Sequence, residues 1–283
     1  MLQSVLVLAR MVKIEHSVFA LPFAYLGCFL AARGWPGWSV FLLLTVAMVA
    51  IRSYSMAINR IVDLPFDRIN PRTKSRPLVT GEIKVSQAVY FCLVCAIVFL
   101  LACAGLNTLC LSLAPLVLIW AAVYSLSKRY TWLCHFLLGS VLGLAPLGGW
   151  LAFKPEFSLA ALLFFSAVLF WVAGFDILYS CQDVQFDRDN GLFSLPANFG
   201  VQAALQLSTF SHVNTVIFFF FAGLAAQLGW VYFLCWAIVA LVLIWEHRLI
   251  SADDLSRVNM AFFTLNGLVA MVLFAGVLGE LFI

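Results

Sequence analysis

The residues able to do chemistry in this chain are two sets of carboxylates, Asn59-x-x-x-Asp63-x-x-x-Asp67 and Asp176 followed by Asp183-x-x-x-Asp187. Side chains three, four or seven apart return to one face of a helix. Arg52, Asn59, Asp63 and Asp67 therefore form one stripe if the backbone is helical, and Asp176, Ser180, Asp183 and Asp187 form a second. A basic loop, Arg68-Ile69-Asn70-Pro71-Arg72-Thr73-Lys74-Ser75-Arg76-Pro77, follows the first stripe. Acids beside guanidinium groups suit a magnesium-bridged phosphate: hard oxygen ligands for Mg²⁺ and forked donors for phosphate oxygens. Two such stripes facing each other would hold Mg²⁺ around a diphosphate and help pull it from an allylic carbon. A plainer account pairs the acids with Arg68, Arg72 or Arg188 at helix ends, which explains pairs but not two matched stripes. Pro65 lacks a backbone donor and clashes with the carbonyl of Ile61, so the first helix is expected to end or kink there, with Asp67 on the loop beyond.

The elements that carry these acids make them costly. Of 283 residues, 64% are hydrophobic and 10% charged, against roughly 25% charged in an average soluble domain. An aspartate at the centre of a membrane helix costs roughly 2.5–3.5 kcal/mol, less toward the interface. A spanning helix needs about 20 apolar residues. Such stretches fall at 17–33, 38–59, 85–105, 107–126, 132–152, 158–181, 203–226, 228–246 and 258–282. The expectation is an all-α, polytopic membrane protein: about nine helices in one bundle around a central cavity, as a single domain over residues 1–283. The segment beginning at Ser17 is expected to be the first spanning helix rather than a signal peptide.

Basic residues favour cytoplasmic connections. With the N-terminus inside and the C-terminus outside, only Arg33 and Lys154 of the sixteen Lys and Arg fall outside. Both acidic sets then face the cytoplasm, at the ends of the second and sixth spanning helices and 120 residues apart. The net charge of +3 follows from that asymmetry and carries no implication of nucleic-acid binding; no obligatory protein partner is evident. The eight cysteines lie mostly in apolar runs and read as buried hydrophobes, Cys92-x-x-Cys95 included. A transporter or carrier of a phosphorylated lipid would place charges at mid-depth on broken helices, whereas here they crowd one interface. A CDP-alcohol phosphotransferase would need an Asp-Gly-x-x-Ala-Arg run, which is absent.

With these motifs the chain resembles the UbiA superfamily of intramembrane aromatic prenyltransferases. The resemblance rests on Asn59-x-x-x-Asp63-x-x-x-Asp67, Tyr179-x-x-x-Asp183-x-x-x-Asp187, Arg72-Thr73-Lys74-Ser75-Arg76-Pro77-Leu78 with Thr80-Gly81, and Tyr124-Ser125-Leu126-Ser127-Lys128-Arg129-Tyr130-Thr131. Arg60, where many members carry Asp, and Val184-Gln185, in place of a Lys-containing version, depart from the common pattern. Lys13-Ile14-Glu15-His16-Ser17 through Tyr25 and Gln182 through Asp187 are similar to a bacterial 4-hydroxybenzoate polyprenyltransferase-like branch, part of which serves a menaquinone route with a dihydroxynaphthoate acceptor.

The resemblance implies Mg²⁺-dependent transfer of a polyprenyl chain from its diphosphate to an aromatic acid in ubiquinone or menaquinone biosynthesis, in the bacterial inner membrane and in contact with its lipids. It implies Mg²⁺ and diphosphate on Asp63, Asp67, Asp183 and Asp187, with Asn59 supporting the metal. Arg72, Arg76, Lys128 and Arg129 would contact the diphosphate, while Arg52, Tyr124 and Asp176, with Ser180 on the same stripe, would line the acceptor pocket. Haem prenylation within the same superfamily is the alternative acceptor. His16 is a candidate contact for the acceptor carboxylate, ranked above His135, His212 and His247, and no residue declares itself the base for the ring proton.

Overall fold

The computed structural model describes residues 2–13, 17–252, 254–255, 257–260 and 264–283; His16 lies outside them. Every regular element among the described residues is helical. In order they are α1 (Leu2–Val12), α2 (Ser17–Ala32), α3 (Trp38–Val62), α4 (Leu64–Asp67), α5 (Pro77–Thr80), α6 (Val85–Leu106), α7 (Thr108–Ser127) and α8 (Cys134–Phe153). Then come α9 (Leu159–Ser180), a 3₁₀ turn (Cys181–Asp183), α10 (Val184–Asp189), α11 (Leu195–Phe199), α12 (Val201–Ala225), α13 (Trp230–Leu249), α14 (Val258–Met260) and α15 (Asn266–Phe282).

Seven of these, α3, α6, α7, α8, α9, α12 and α13, are long and apolar enough to cross a bilayer. The first and last expected spans, α2 and α15, are apolar but shorter, at 16 and 17 residues. The last begins at Asn266 rather than near 258, where only the three-residue α14 forms. The chain is thus an all-α integral membrane protein, and the count of about nine holds once the two short helices are included. An unanticipated element is α1, which tucks Met11 and Val12 under α3 and ties Arg10 to Glu82 at 2.6 Å.

Local sequence explains where the spans start. Asn107 caps α7 by accepting from the Cys110 N–H at 2.9 Å, and its amide donates to Leu151 O of α8 at 2.8 Å. Ser158 caps α9 by accepting from Ala161 N–H. Between helices in lipid, small residues permit close backbone approach. A Cβ added to Gly149 would lie 1.9 Å from Ala24 O, one on Gly27 1.9 Å from Pro146 O, and one on Gly139 2.2 Å from Leu169 O. So α2, α8 and α9 touch backbone to backbone. The main core gathers on the side of this seam formed by α2, α9, α12, α13 and α15, while α3, α6 and α7 enclose the space on the other side. All eight cysteines are free thiols, six of them buried, consistent with their apolar settings.

Candidate active site

A cavity of about 860 Å³ lies between α3, α6, α7, α8 and α9. One end is polar. Arg52, Asn59, Arg60 and Asp63 reach it from α3, Arg72 and Arg76 from the loop before α5, Tyr124 and Lys128 from the end of α7, and Asp176, Ser180 and Asp183 from the end of α9. Away from that end the lining is apolar, with Phe99, Leu113, Trp120, Leu142, Trp171 and Phe175 among the larger side chains. The polar groups gather at one end of the bundle, as the charge pattern led one to expect.

The first acidic set keeps its helical phase through Pro65. Asp63 N–H donates to Asn59 O and Asp67 N–H to Asp63 O, both at 2.8 Å, and Pro65 sits in the first turn of α4, where a missing donor costs nothing. Asp67 therefore closes a four-residue helix instead of lying on the loop beyond. Asn59 Nδ2 donates to Asp63 Oδ2 at 2.8 Å. Asp67, 6% exposed, faces away from the cavity lining and takes Arg76 Nη1 on both oxygens, at 2.6 and 2.5 Å. The loop folds back to allow this: Asn70 Oδ1 accepts from Arg72 N–H, and Thr73 Oγ1 donates to Asp67 O.

The second set does not form the single stripe its spacing predicts. After Ser180 the backbone tightens into the 3₁₀ turn before α10 resumes, and three residues per turn in place of 3.6 shift the phase. Asp183 still meets the cavity, where Arg72 grips it through Nε at 3.1 Å and Nη2 at 2.5 Å. The same guanidinium donates to Tyr179 Oη at 3.1 Å. Asp187 turns inward and is fully buried; Ser194 Oγ donates to one oxygen at 2.7 Å and Lys128 Nζ lies 2.8 Å from the other.

The expected site residues thus divide into two groups. Asn59, Asp63, Asp183, Arg52, Arg72, Arg76, Tyr124, Lys128, Asp176 and Ser180 line the cavity. Asp67, Asp187 and Arg129 stand behind it: Arg129 Nη2 donates to Val62 O at 2.5 Å and its guanidinium stacks 5.2 Å from the Phe66 ring, fastening the end of α7 to that of α3. Ser180 Oγ donates to Ile177 O, a local helical contact. Arg188 donates to Ala197 O at 3.0 Å and pairs with no carboxylate among the described residues.

Electrostatics match this division. Burial, reinforced by the negative charge of Asp67, pushes the Asp63 carboxyl up to about 6. Burial opposes the charge on Arg72, but the hydrogen bond and charge of Asp183 override it and hold the guanidinium pKa above its usual value. Lys128 behaves alike: burial lowers, Asp187 raises more, and the net direction is up.

Spacing missed several lining residues. His135, in the first turn of α8, places Nδ1 2.7 Å from Asp176 Oδ2. No motif joins residues 41 apart on different helices; the only signal was a histidine inside an apolar run. Arg60, a departure from the family pattern, is 6% exposed and donates to Met11 O and Asn59 Oδ1. His212 and His247 pair with each other at 2.9 Å, and neither lines the cavity.

Among the described residues no three His, Cys, Asp or Glu side chains converge as a ready-made metal nest. Asn59, Asp63 and Asp183, which border the polar end, offer oxygen donors, the chemistry that Mg²⁺ takes with one or two carboxylates and retained water. That donor set fits the ion.

An all-helical membrane bundle with paired acids and bases at the mouth of an apolar cavity defines a class of lipid-handling membrane proteins. The UbiA prenyltransferase family model matches residues 20–268, so this chain belongs to the UbiA prenyltransferase family and is a prenyltransferase. It is 30% identical over 258 residues to a 4-hydroxybenzoate octaprenyltransferase of Methylobacillus flagellatus, covering 90% of this chain and 85% of the relative. Its fold superposes on a UbiA homologue from Aeropyrum pernix K1 in the apo form with a TM-score of 0.85 and 38% identity, over 94% and 98% of the two chains. It also matches the fold of a UbiA homologue from Archaeoglobus fulgidus bound to GPP and Mg²⁺, with a TM-score of 0.71 and 22% identity over 96% and 99%.

Proposed function

We propose that this chain transfers a polyprenyl chain from its diphosphate to an aromatic acid, 4-hydroxybenzoate or a related hydroxynaphthoate, with Mg²⁺, at the cytoplasmic face of a bacterial inner membrane. One observation carries the reading: Arg72, Asp63 and Asp183 bring two distant acidic segments to the mouth of one apolar cavity. The named function of the Methylobacillus relative supports the acceptor class. The GPP and Mg²⁺ bound to the Archaeoglobus homologue support the donor class and the cofactor. The bias of basic residues toward one set of loops supports the orientation, N-terminus in and C-terminus out.

Asn59, Asp63 and Asp183 would hold the cation, with Asp67 and Asp187 supporting them from behind. When bound, Mg²⁺ supplies positive charge against the diphosphate as negative charge builds on the leaving oxygen. Arg72, Arg76 and Lys128 each pair with a carboxylate. Diphosphate oxygens compete for the same donors, so the three side chains exchange one anion for another rather than emerging from water. Guanidinium forks suit both partners. Behind the polar end, Trp171, Phe175 and Leu142 exclude water, which strengthens each charge contact and protects an allylic carbocation from hydrolysis. Arg52 and Tyr124 border the same space and provide a cation and a hydroxyl for an aromatic carboxylate. The ring carbon ortho to the hydroxyl then attacks C1 of the prenyl chain.

The direct test is incubation of purified protein with Mg²⁺, prenyl diphosphates of several lengths and a panel of hydroxybenzoates and hydroxynaphthoates, read by mass spectrometry. An acceptor heavier by one prenyl group less one hydrogen is the expected product. Consumption of the diphosphate with every aromatic acid left intact would sink the acceptor assignment.

A further inference from the structure

One face of α8 lines the cavity along its whole length. His135 and Leu138 stand near the polar end, followed by Leu142, Ala145, Gly148 and Leu151, each three or four residues on. From His135 to Leu151 this stripe covers about 24 Å, at about 1.5 Å of rise per residue. Leu106 at the end of α6, Cys110 at the start of α7 and Phe157 ahead of α9 border the far end. The cavity therefore runs from the polar groups to the opposite end of the bundle.

Gly148 is the anomaly on this face. A glycine inside a helix is less stable than an alanine, so each one asks for a reason. Three of the four in α8 have one. A Cβ on Gly139, Gly143 or Gly149 would fall 2.2, 2.8 or 1.9 Å from the carbonyl oxygen of Leu169, Phe165 or Ala24. At Gly148 an added Cβ meets no heavy atom within 4 Å, and the residue does not adopt a positive φ that would demand glycine. The space its side chain would take belongs to the cavity. It lies about 20 Å along the helix from His135. The reacting carbon must sit among the polar groups, so only the tail of a donor reaches that depth.

We infer that Gly148 is a specificity-determining residue, which keeps the far end of the cavity open and makes long isoprenoid diphosphates the donor class. The inference rests on the prenyl-transfer reading above and deepens it, because that reading leaves the length of the donor unassigned. A short donor ends before Gly148, and a long one passes it. The lipid that a tail leaves is as apolar as the cavity wall, so burial alone selects no length; shape does. A side chain across the passage stops a long tail short, which draws its C1 and diphosphate back from the polar end. A short donor keeps its seat.

The test gives purified full-length protein Mg²⁺, 4-hydroxybenzoate or whichever acceptor the panel above identifies, and either geranyl or octaprenyl diphosphate. The readout is the ratio of kcat/KM for the long donor to that for the short one. Gly148→Leu and Gly148→Phe should lower the ratio by about tenfold to a hundredfold, the usual cost of forcing extra carbons into a filled apolar space. Gly148→Ala should lower it less. The helix gains from losing a glycine, so Tm of the Ala and Leu variants in detergent should hold or rise, which a glycine needed for packing would not allow. An unchanged ratio in Gly148→Leu and Gly148→Phe, or equal losses on both donors, would overturn the inference. So would wild-type protein that uses geranyl but not octaprenyl diphosphate. If Gly148→Phe does not fold, Gly148→Leu decides. Wild-type protein that transfers neither chain would instead overturn the prenyl-transfer reading, and the inference with it.

Discussion

The two acidic segments carry the same Asp-x-x-x-Asp spacing and reach the cavity by different means. At the end of α3 the helical hydrogen bonds run on through Asp63 to Asp67, and the rear aspartate is clamped by Arg76, nine residues away on its own loop. At the end of α9 a 3₁₀ turn intervenes, and the clamps come from afar: Arg72 to Asp183 across 111 residues, Lys128 to Asp187 from the end of α7. In both, the leading aspartate meets the cavity and the trailing one is buried. The first half is assembled locally, and the second exists only when the whole bundle has closed.

Breaking the leading positions should have the largest effect. Asp63→Ala and Asp183→Ala should each abolish turnover, while membrane insertion and detergent-solubilised folding persist; retained activity in either would remove it from the metal site. Exhaustive chelation should likewise stop turnover and Mg²⁺ should restore it, measured as prenylated product.

Next come the trailing aspartates, which should separate the halves. Removing one partner of a buried ion pair costs roughly 3–5 kcal/mol. Asp187→Asn should fall toward the low end of that range in thermal unfolding, because Lys128 is itself 35% exposed. Asp67→Asn should destabilise less, its clamp being local. Equal losses would erase the proposed contrast between local and long-range assembly.

Arg72→Lys keeps the charge but loses the fork that grips both oxygens of Asp183. It should raise KM for the prenyl diphosphate by about tenfold, equivalent to about 1.4 kcal/mol, more than Arg76→Lys does. The smallest effect concerns pH. Asp63 holds its proton up to about 6 and binds a cation only without it. Apparent Mg²⁺ affinity should therefore weaken as pH falls through about 6 and be constant above about 7, in titrations of activity against Mg²⁺. For the metal-free protein the sign is opposite: with the folded pKa above the unfolded value of 3.8, the fold binds more protons than the unfolded chain, so this group's contribution to stability falls as pH rises from about 4 to 6.

Much of this was legible in the sequence. Hydropathy located all nine apolar helices, and helical spacing marked Asn59, Asp63, Asp176 and Asp183 as neighbours of one cavity. The failures have a common physical origin. Spacing assigns a face only while the helical pitch is constant, so the tightened turn at Cys181–Asp183 broke the second stripe; α3 does end just before Pro65, but the proline also opens α4, which keeps Asp67 helical instead of on a loop. The His135–Asp176 pair was invisible because contacts between different helices leave no periodic trace. Arg60 was legible only as a departure from a family pattern, and its buried contacts to Met11 and Asn59 required α1, a helix that hydropathy alone had not marked.

The glycine seam joining α2, α8 and α9 has a mechanical consequence. Backbones already in contact cannot approach further, so these three helices form a stiff plate along one wall. Any swelling needed to admit or discharge a long isoprenoid must come from the opposite side, where α6 and α7 expose Leu93, Ile97, Leu101, Leu116 and Ile119. Spin-label distances from α2 to α8 should therefore stay narrow through a catalytic cycle, and those from α8 to α7 should broaden when a prenyl diphosphate is added.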